Sequence, residues 1–330
     1  MTFAKAISLF SGGLDSILAT KLILDQKIEV EAVTFTSQFS ASEKSKNAVA
    51  EAAEQLGVPL KVIHLGKDYL RLIRSPKHGY GKNINPCVDC RIFMLKKAKK
   101  YAREIGAAFI FTGEVLDERP MSQRFQALKL VEEQSGLKGQ LLRPLSAKLL
   151  PKTFAEKKGM VDREKLRGIR GRSRKPQINL AKEFNIKFYP TPAGGCLLTC
   201  EEYAKKLRDL FKHKKHVSMK DVALLSVGRH FRLDENKIIV GRNEEENRVL
   251  TLNKASTDYY FEVPDIAGPT TLLQGAKTGR AVKTAAALTA YYSDSKDNTV
   301  TVNFGRKQLN KCISVSVPGE AEVKGLRVGN

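Results

Sequence analysis

The chain has 330 residues, with 57 Lys and Arg against 35 Asp and Glu, and a formal charge of +22. At 42% hydrophobic residues it is not a disordered chain, no apolar run reaches the ~18 residues of a membrane span, and five cysteines are too few for a disulfide scaffold. The N-terminal MTFAKAISLF lacks a signal-peptide cleavage pattern, so a cytoplasmic protein is expected. A charge this positive predicts a polyanionic partner, and nucleic acid fits better than a membrane surface, because no basic amphipathic helix with aromatic anchors stands out.

In chain order, Ala6 to Phe10 reads as a strand, Ser11-Gly12-Gly13-Leu14-Asp15-Ser16 as a turn, and Leu14, Ile17, Leu18 and Leu22 recur at helical spacing. Ile28 to Phe35 is a second strand, followed by a helix through Ala48, Val49, Ala52, Ala53 and Leu56, and Leu60 to Leu65 is a third. Residues 66–90 read as loop and hold Cys87 and Cys90. A helix through Ile92, Leu95, Ala102 and Ile105 follows, then strands at Ala108 to Thr112 and Leu141 to Leu145. Five such βα units predict an α/β domain with a doubly wound parallel sheet over residues 1–200.

Between 151 and 182 stand eleven Lys or Arg against three acids, with Gly168 and Gly171 interleaved. No core is expected there. The segment is either a solvated linker or a loop that contacts phosphates, in which case Arg170, Arg172, Arg174 and Lys175 are candidate RNA contacts. Tyr203 to His216 reads as a basic helix within a connector, 201–224. From 225 to 330, short β runs at Ile238 to Val240, Leu250 to Leu252, Thr299 to Phe304 and Cys312 to Val317 predict a smaller α+β domain.

The SGGLDS turn combines glycines that admit a ligand to the backbone with a helix N-terminus whose N–H groups are free, an arrangement that suits phosphate. Ligands of open parallel sheets gather beyond the carboxyl ends of the strands. Thr34, Phe35 and Thr36 end the second strand and could accept adenine. Thr112-Gly113-Glu114 ends the fourth, with Asp117, Arg119, Met121, Ser122 and Gln123 after it. Lys148 follows the fifth and could neutralise a phosphate.

Cys87-Val88-Asp89-Cys90 and the distant Gly194-Gly195-Cys196 could bring three thiols together. Zinc would want a fourth ligand, which Cys200 could supply. A redox or persulfide pair is a further reading. Cys200 otherwise reads as a small core residue or a neighbour of the site, and Cys312 as core.

The SGGxDS turn in its strand-to-helix setting resembles the PP-loop of the ATP pyrophosphatase family. That resemblance implies ATP cleavage between the α- and β-phosphates, with Ser11, Gly12, Gly13 and Ser16 around pyrophosphate and Asp15 helping to hold Mg²⁺. With the CxxC and the Gly-Gly-Cys, it is similar to PP-loop tRNA thiolation enzymes in which three cysteines hold a 4Fe-4S cluster. This implies Cys87, Cys90 and Cys196 as cluster ligands and a sulfur donor, either sulfide or a cysteine desulfurase. Gly228-Arg229-His230-Phe231-Arg232, Gly241-Arg242-Asn243 and Tyr291-Tyr292-Ser293 together resemble the NFACT-R domain, an RNA-binding module, which implies RNA contacts at Arg229, Arg242 and Asn243. The whole is identified with tRNA uridine thiolation, in the manner of 4-thiouridine synthesis but without THUMP or rhodanese patterns. The ring position is a leaning towards C4 that no residue decides.

Overall fold

The computed structural model describes residues 4–39, 43–190 and 196–329, and the chain forms two compact units, 1–199 and 200–330. No helix among the described residues is long and apolar enough to cross a membrane.

The first unit runs β1 (Lys5–Leu9), α1 (Leu14–Leu24), β2 (Glu29–Thr36), α2 (Glu43–Gln55), β3 (Leu60–His64), α3 (Lys67–Arg74), α4 (Cys87–Glu104), β4 (Phe109–Thr112), α5 (Phe125–Ser135), β5 (Leu141–Leu142), α6 (Phe154–Lys157) and α7 (Lys175–Glu183). The sheet order is β3-β2-β1-β4-β5 and every pair is parallel. The expected doubly wound sheet is therefore present. Alternation along β1 shows why it needs helices on both faces. Ala6 joins a core with Phe10 and the apolar side chains of α1, while Ile7 and Leu9 join Val88, Ile92, Leu95 and Ala98 of α4 on the other side.

The chain leaves β1 towards β2 and β3, then crosses back to β4. The carboxyl ends of β1 and β4 are thus adjacent at the point where the winding reverses, which is where such sheets open a crevice. The SGGLDS turn and the 113–123 loop both begin there.

Two sequence expectations change in this unit. Residues 66–90 are not one loop: α3 buries Tyr69, Leu70 and Ile73, and Cys87 opens α4. The basic stretch 151–182 does contribute core. Ala155, Val161, Leu166, Leu180 and Ala181 pack with α1, while the lysines around them are exposed. The segment is also pinned to the sheet end, with Arg167 N–H donating to Pro144 O (2.9 Å), Ile169 N–H to Leu145 O (2.7 Å) and Gly171 N–H to Leu116 O (2.8 Å).

The second unit runs α8 (Glu201–His213), α9 (Met219–Leu224), β6 (Arg229–Leu233), β7 (Asn236–Val240), α10 (Glu244–Asn253), β8 (Tyr259–Glu262), β9 (Thr271–Gln274), α11 (Gly279–Tyr291), β10 (Thr299–Gly305), β11 (Lys311–Ser316) and α12 (Glu320–Gly325). Its six strands pair in the order β11-β10-β8-β9-β7-β6, all antiparallel. Ala281, Ala285, Ala286 and Ala290 let α11 lie close to one face, packing on Phe231, Phe261 and Val302. Leu224 and Leu250 cover Ile239 and Leu272 on the other. An α+β second domain is therefore present too. Leu250 to Leu252 is helix rather than strand, because Asn243 caps α10 by accepting from Glu246 N–H (3.0 Å) and starts the helix before that run. Cys312 is exposed and not core, since in β11 it is Val315 that turns inward.

Candidate active site

The phosphate loop is built by local chemistry. Gly12 sits at φ +72°, and a Cβ there would stand 2.8 Å from Val49 Cα, so only glycine allows both the turn and the approach of α2. Gly13 precedes α1 as its N-cap without a side-chain cap, and while Ser16 N–H donates back to Gly13 O (3.0 Å), the Leu14 and Asp15 N–H groups are left at the helix start. Ser16 Oγ donates to Gly13 O (2.8 Å) and lies 3.3 Å from Ser11 Oγ, which fixes the two hydroxyls across the turn.

Asp15 points into this crevice with one carboxylate oxygen buried and without a hydrogen bond. Burial raises its pKa above the ordinary carboxylate range, and the nearby Arg174, Gln177 and Arg119 only partly offset that. The Gln177 amide lies against this carboxylate, yet neither of its polar atoms makes a hydrogen bond within normal limits. Glu118 is raised as well, by burial and by the Asp15 charge. A buried, orphaned carboxylate oxygen in a phosphate crevice suits Mg²⁺, which commonly takes one or two carboxylates together with substrate phosphates.

Gly113 ends β4 against the same turn: a Cβ there would meet Asp15 C and O and Ser16 N at 2.6 Å. Glu114, 2% exposed, lies between Arg91 Nε (3.0 Å) and Arg143 Nε (3.1 Å). Burial alone would raise its pKa, but the two guanidinium groups hold it below the usual range. Arg91 directly follows Cys90, so this ion pair ties the thiol helix to the end of β4.

Cys87 and Cys90 occupy the first turn of α4. Between them, Asp89 accepts from Lys77 N–H (3.1 Å) and His78 N–H (2.9 Å), which fastens the preceding loop to the helix. Cys196 is brought in by a separate set of hydrogen bonds to the backbone around it. Leu197 N–H donates to Phe39 O (3.1 Å), Ile84 N–H to Leu198 O (3.2 Å), and Asn83 Nδ2 to Thr199 O (2.7 Å). Gly194 and Gly195 lie outside the described residues.

The three thiols are close enough to influence one another. Burial raises Cys87 and Cys196, and pushes Cys90 up to about 11 although Tyr69 and Arg91 pull the other way. The charge on Arg119 bears on Asp15, Cys87 and Cys196 alike, so the loop after β4 reaches both the SGGLDS turn and the thiols. Among the described residues, no group of three or more His, Cys, Asp or Glu side chains is arranged to hold a single metal ion. Three thiols from two distant segments fit the all-thiolate donor set of an iron–sulfur cluster, whose sulfur ligands surround a larger body than one ion. Cys200, read as a possible fourth ligand or core residue, is exposed at the N-cap of α8 in the second unit.

Other expected residues fall as follows. Phe35 packs on the α4 side of the sheet, and Thr36 Oγ1 lies 3.3 Å from His64 Nδ1 at the end of β2. Lys148 is partly exposed and pairs with Glu164 (3.1 Å). Arg170 binds Asp117 (2.6 Å), Arg172 and Lys175 are exposed, and Arg174 turns towards Asp15. In the second unit Arg229 lies 4.4 Å from the centroid of Tyr292, Arg242 Nε donates to Glu246 (2.9 Å), and Asn243 is the α10 cap. Composition drew attention to none of Arg91, Gln177 or Tyr69. The position of Arg91 next to the CxxC was the one available signal.

The parallel sheet reverses between β1 and β4, with the SGGLDS turn at the reversal, where open parallel sheets commonly bind ligands. Residues 1–148 match the family described as thiamine biosynthesis protein (ThiI), and residues 228–325 match the NFACT protein RNA binding domain. Each half thus has a family match of its own, and both are those its motifs led us to expect. Among curated relatives, a probable tRNA sulfurtransferase of Thermoanaerobacter sp. (strain X514) is 32% identical over 124 residues, covering 36% of this chain and 31% of that protein. The tRNA-specific 2-thiouridylase MnmA of Syntrophotalea carbinolica is 31% identical over 113 residues, 31% of this chain and 32% of that one. The chain therefore spans about a third of the length of these relatives. Among solved structures, the U34-tRNA thiolase NcsA from Methanococcus maripaludis with its [4Fe-4S] cluster aligns at 21% identity and a TM-score of 0.36, covering 71% of this chain and 75% of that one.

Proposed function

We propose that this protein thiolates a uridine of tRNA at the expense of ATP. The observation that carries the reading is the convergence of Cys87, Cys90 and Cys196 beside an intact phosphate loop, with Arg119 bearing electrostatically on both. The match of the second half to an RNA-binding domain supports tRNA as the partner.

A uracil carbonyl oxygen is a poor leaving group, so it must first be activated. In the proposed reaction that oxygen attacks the α-phosphorus of ATP, the Pα–O–Pβ bond breaks, and pyrophosphate leaves. The loop N–H groups, with Ser11 and Ser16, take up the charge that develops on the departing phosphates. Asp15 would hold Mg²⁺ there. Hydrosulfide then adds to the ring carbon and AMP departs with the former carbonyl oxygen. The proton that N3 lost on adenylation is replaced by that of the sulfur, so no oxidant or reductant is needed. Cys87, Cys90 and Cys196 would hold a 4Fe-4S cluster, which when bound supplies an open iron position for sulfide. We favour C4 of the uracil, in the cytoplasm, with sulfide as donor; a cysteine desulfurase would supply persulfide sulfur, which a thiol reductant must first reduce to hydrosulfide.

The test is mass spectrometry of tRNA nucleosides from a deletion strain, together with analysis of nucleotide products in vitro. Loss of one thiolated nucleoside and formation of AMP and pyrophosphate are expected. An unchanged thionucleoside profile, or ADP as product, overturns the proposal.

A further inference from the structure

Beyond residue 148, where the ThiI match ends, α7 presents its first turn to the phosphate loop. Helices α1 and α7 pack on one another through the core that includes Ile17, Leu18, Leu180 and Ala181. The bonds of Ile169 to Leu145 and of Gly171 to Leu116, in the loops after β5 and β4, hold the approach to this helix in place. Gln177 is 0% exposed, and its amide lies against the Asp15 carboxylate with neither polar atom in good hydrogen-bond geometry. Half-buried Arg174 has its Nε buried and unpaired, and Asp15 Oδ1 is unpaired as well.

Four unpaired polar atoms from three side chains at one place are costly. A buried polar group without a partner gives up its hydration for nothing, typically about 1–3 kcal/mol. Such groups persist where a ligand satisfies them. The charged groups facing Asp15 are Arg174, Arg119 and Glu118, so the crevice holds two guanidinium groups and two carboxylates. An anion carrying its own divalent cation suits that mixture: the metal meets the carboxylate and the anion meets the cations and the amide.

We propose that Arg174 and Gln177 form a second wall of the triphosphate site, contacting the terminal phosphates of ATP held on the Ser11–Ser16 loop. This rests on the reading of that loop as an ATP site. It separates Arg174 from Arg172 and Lys175, whose exposed side chains are left for RNA. One bound ATP would then satisfy groups on both α1 and α7.

The test is calorimetric titration of the full chain with ATP, AMP and inorganic pyrophosphate, each with Mg²⁺, and of tRNA without nucleotide. Arg174→Ala and Gln177→Met are each expected to weaken ATP and pyrophosphate binding by about 10- to 100-fold, the range for hydrogen bonds to a charged group. AMP, which lacks the terminal phosphates, should bind as before, and tRNA affinity should not move. Gln177→Met keeps the volume and removes an unpaired amide, so the variant without ligand should melt no lower than the parent. A lower melting temperature with AMP and ATP weakened alike would make these residues structural and overturn the proposal. Weaker tRNA binding with unchanged ATP affinity would overturn it in favour of an RNA contact. If the parent protein bound AMP but not pyrophosphate, the second wall would fall. If it bound no nucleotide at all, the ATP reading would fall with it.

Discussion

Tyr69 holds Cys90: its hydroxyl lies 3.0 Å from Cys90 Sγ, while its ring packs at 6.0 Å from Phe39 and 5.8 Å from Phe93. Phe39 in turn accepts the backbone bond from Leu197, the residue after Cys196. One aromatic side chain from α3 therefore supports both arms of the thiol site.

This arrangement separates ligand from support. Cys87→Ala, Cys90→Ala and Cys196→Ala should each bring iron and acid-labile sulfide to background after anaerobic reconstitution, whereas Cys312→Ala should leave about four of each per chain. Tyr69→Phe retains the packing and loses one hydrogen bond, so it should lower stability by about 0.5–1.5 kcal/mol and still load iron. Fresh anaerobic protein with stoichiometric zinc, and no iron after reconstitution, would sink the cluster.

Asp15 is expected to trade stability for activity. Its raised pKa means that the folded state holds the proton more tightly than the unfolded one. The carboxyl therefore adds to stability at pH below its ordinary value, and that contribution is lost as pH rises through the folded value. At neutral pH Asp15→Asn should remove Mg²⁺-dependent production of AMP and pyrophosphate. It should also relieve about 1 kcal/mol, or roughly 2–4 °C in Tm for a domain of this size. Paired melting curves at pH 3 and pH 7 check the sign. A variant less stable than its parent at pH 7 would contradict it.

Lys237 gives the second domain an alkaline signature. It is 5% exposed beside Asp209 and Arg232, and burial, opposed in part by Asp209, pushes its pKa down to about 8. Since the unfolded lysine keeps its proton to higher pH, its effect is to raise stability between about pH 8 and 10. Lys237→Met should remove that rise while Arg232 keeps its bond to Asp209 (2.9 Å). Urea melts across this range compare the two slopes, and equal slopes would refute the assignment.

For tRNA, the exposed pair Arg172 and Lys175 should act as phosphate contacts. Replacing both by Ala should weaken binding to every tRNA alike and flatten the salt dependence of log Kd by about 0.7–0.9 per lost contact. Removing residues 200–330 should leave iron content and ATP binding intact and raise the tRNA concentration needed for thiolation. If the first unit alone modified tRNA at unchanged affinity, the second would not hold the RNA.

The sequence made some of this legible and hid the rest for physical reasons. The SGGLDS turn is local, so its strand, turn and helix could be read in place. The order β3-β2-β1-β4-β5 is non-local, and nothing in five short apolar runs states which neighbours pair. Charge masked the core of 151–182, because Ala155, Val161 and Leu166 are widely spaced among exposed lysines. The face formed by Tyr69, Leu70 and Ile73 was readable as helical periodicity, but the loop residues that follow it obscured the short helix. The purpose of Gln177 was invisible, since a lone glutamine on an amphipathic helix carries no sign of burial.

At position 113 the structure has room for a hydrogen and nothing larger. The atoms a methyl would strike are main-chain atoms of Asp15 and Ser16, so no side-chain rotation can relieve the clash. Gly113→Ala would therefore prise the first turn of α1 away from the end of β4 without deleting any reacting group. An inactive protein obtained that way would say nothing about chemistry at residue 113. It would measure how far the two segments can part before the proposed ATP site fails, and graded additions there turn an activity assay into a ruler.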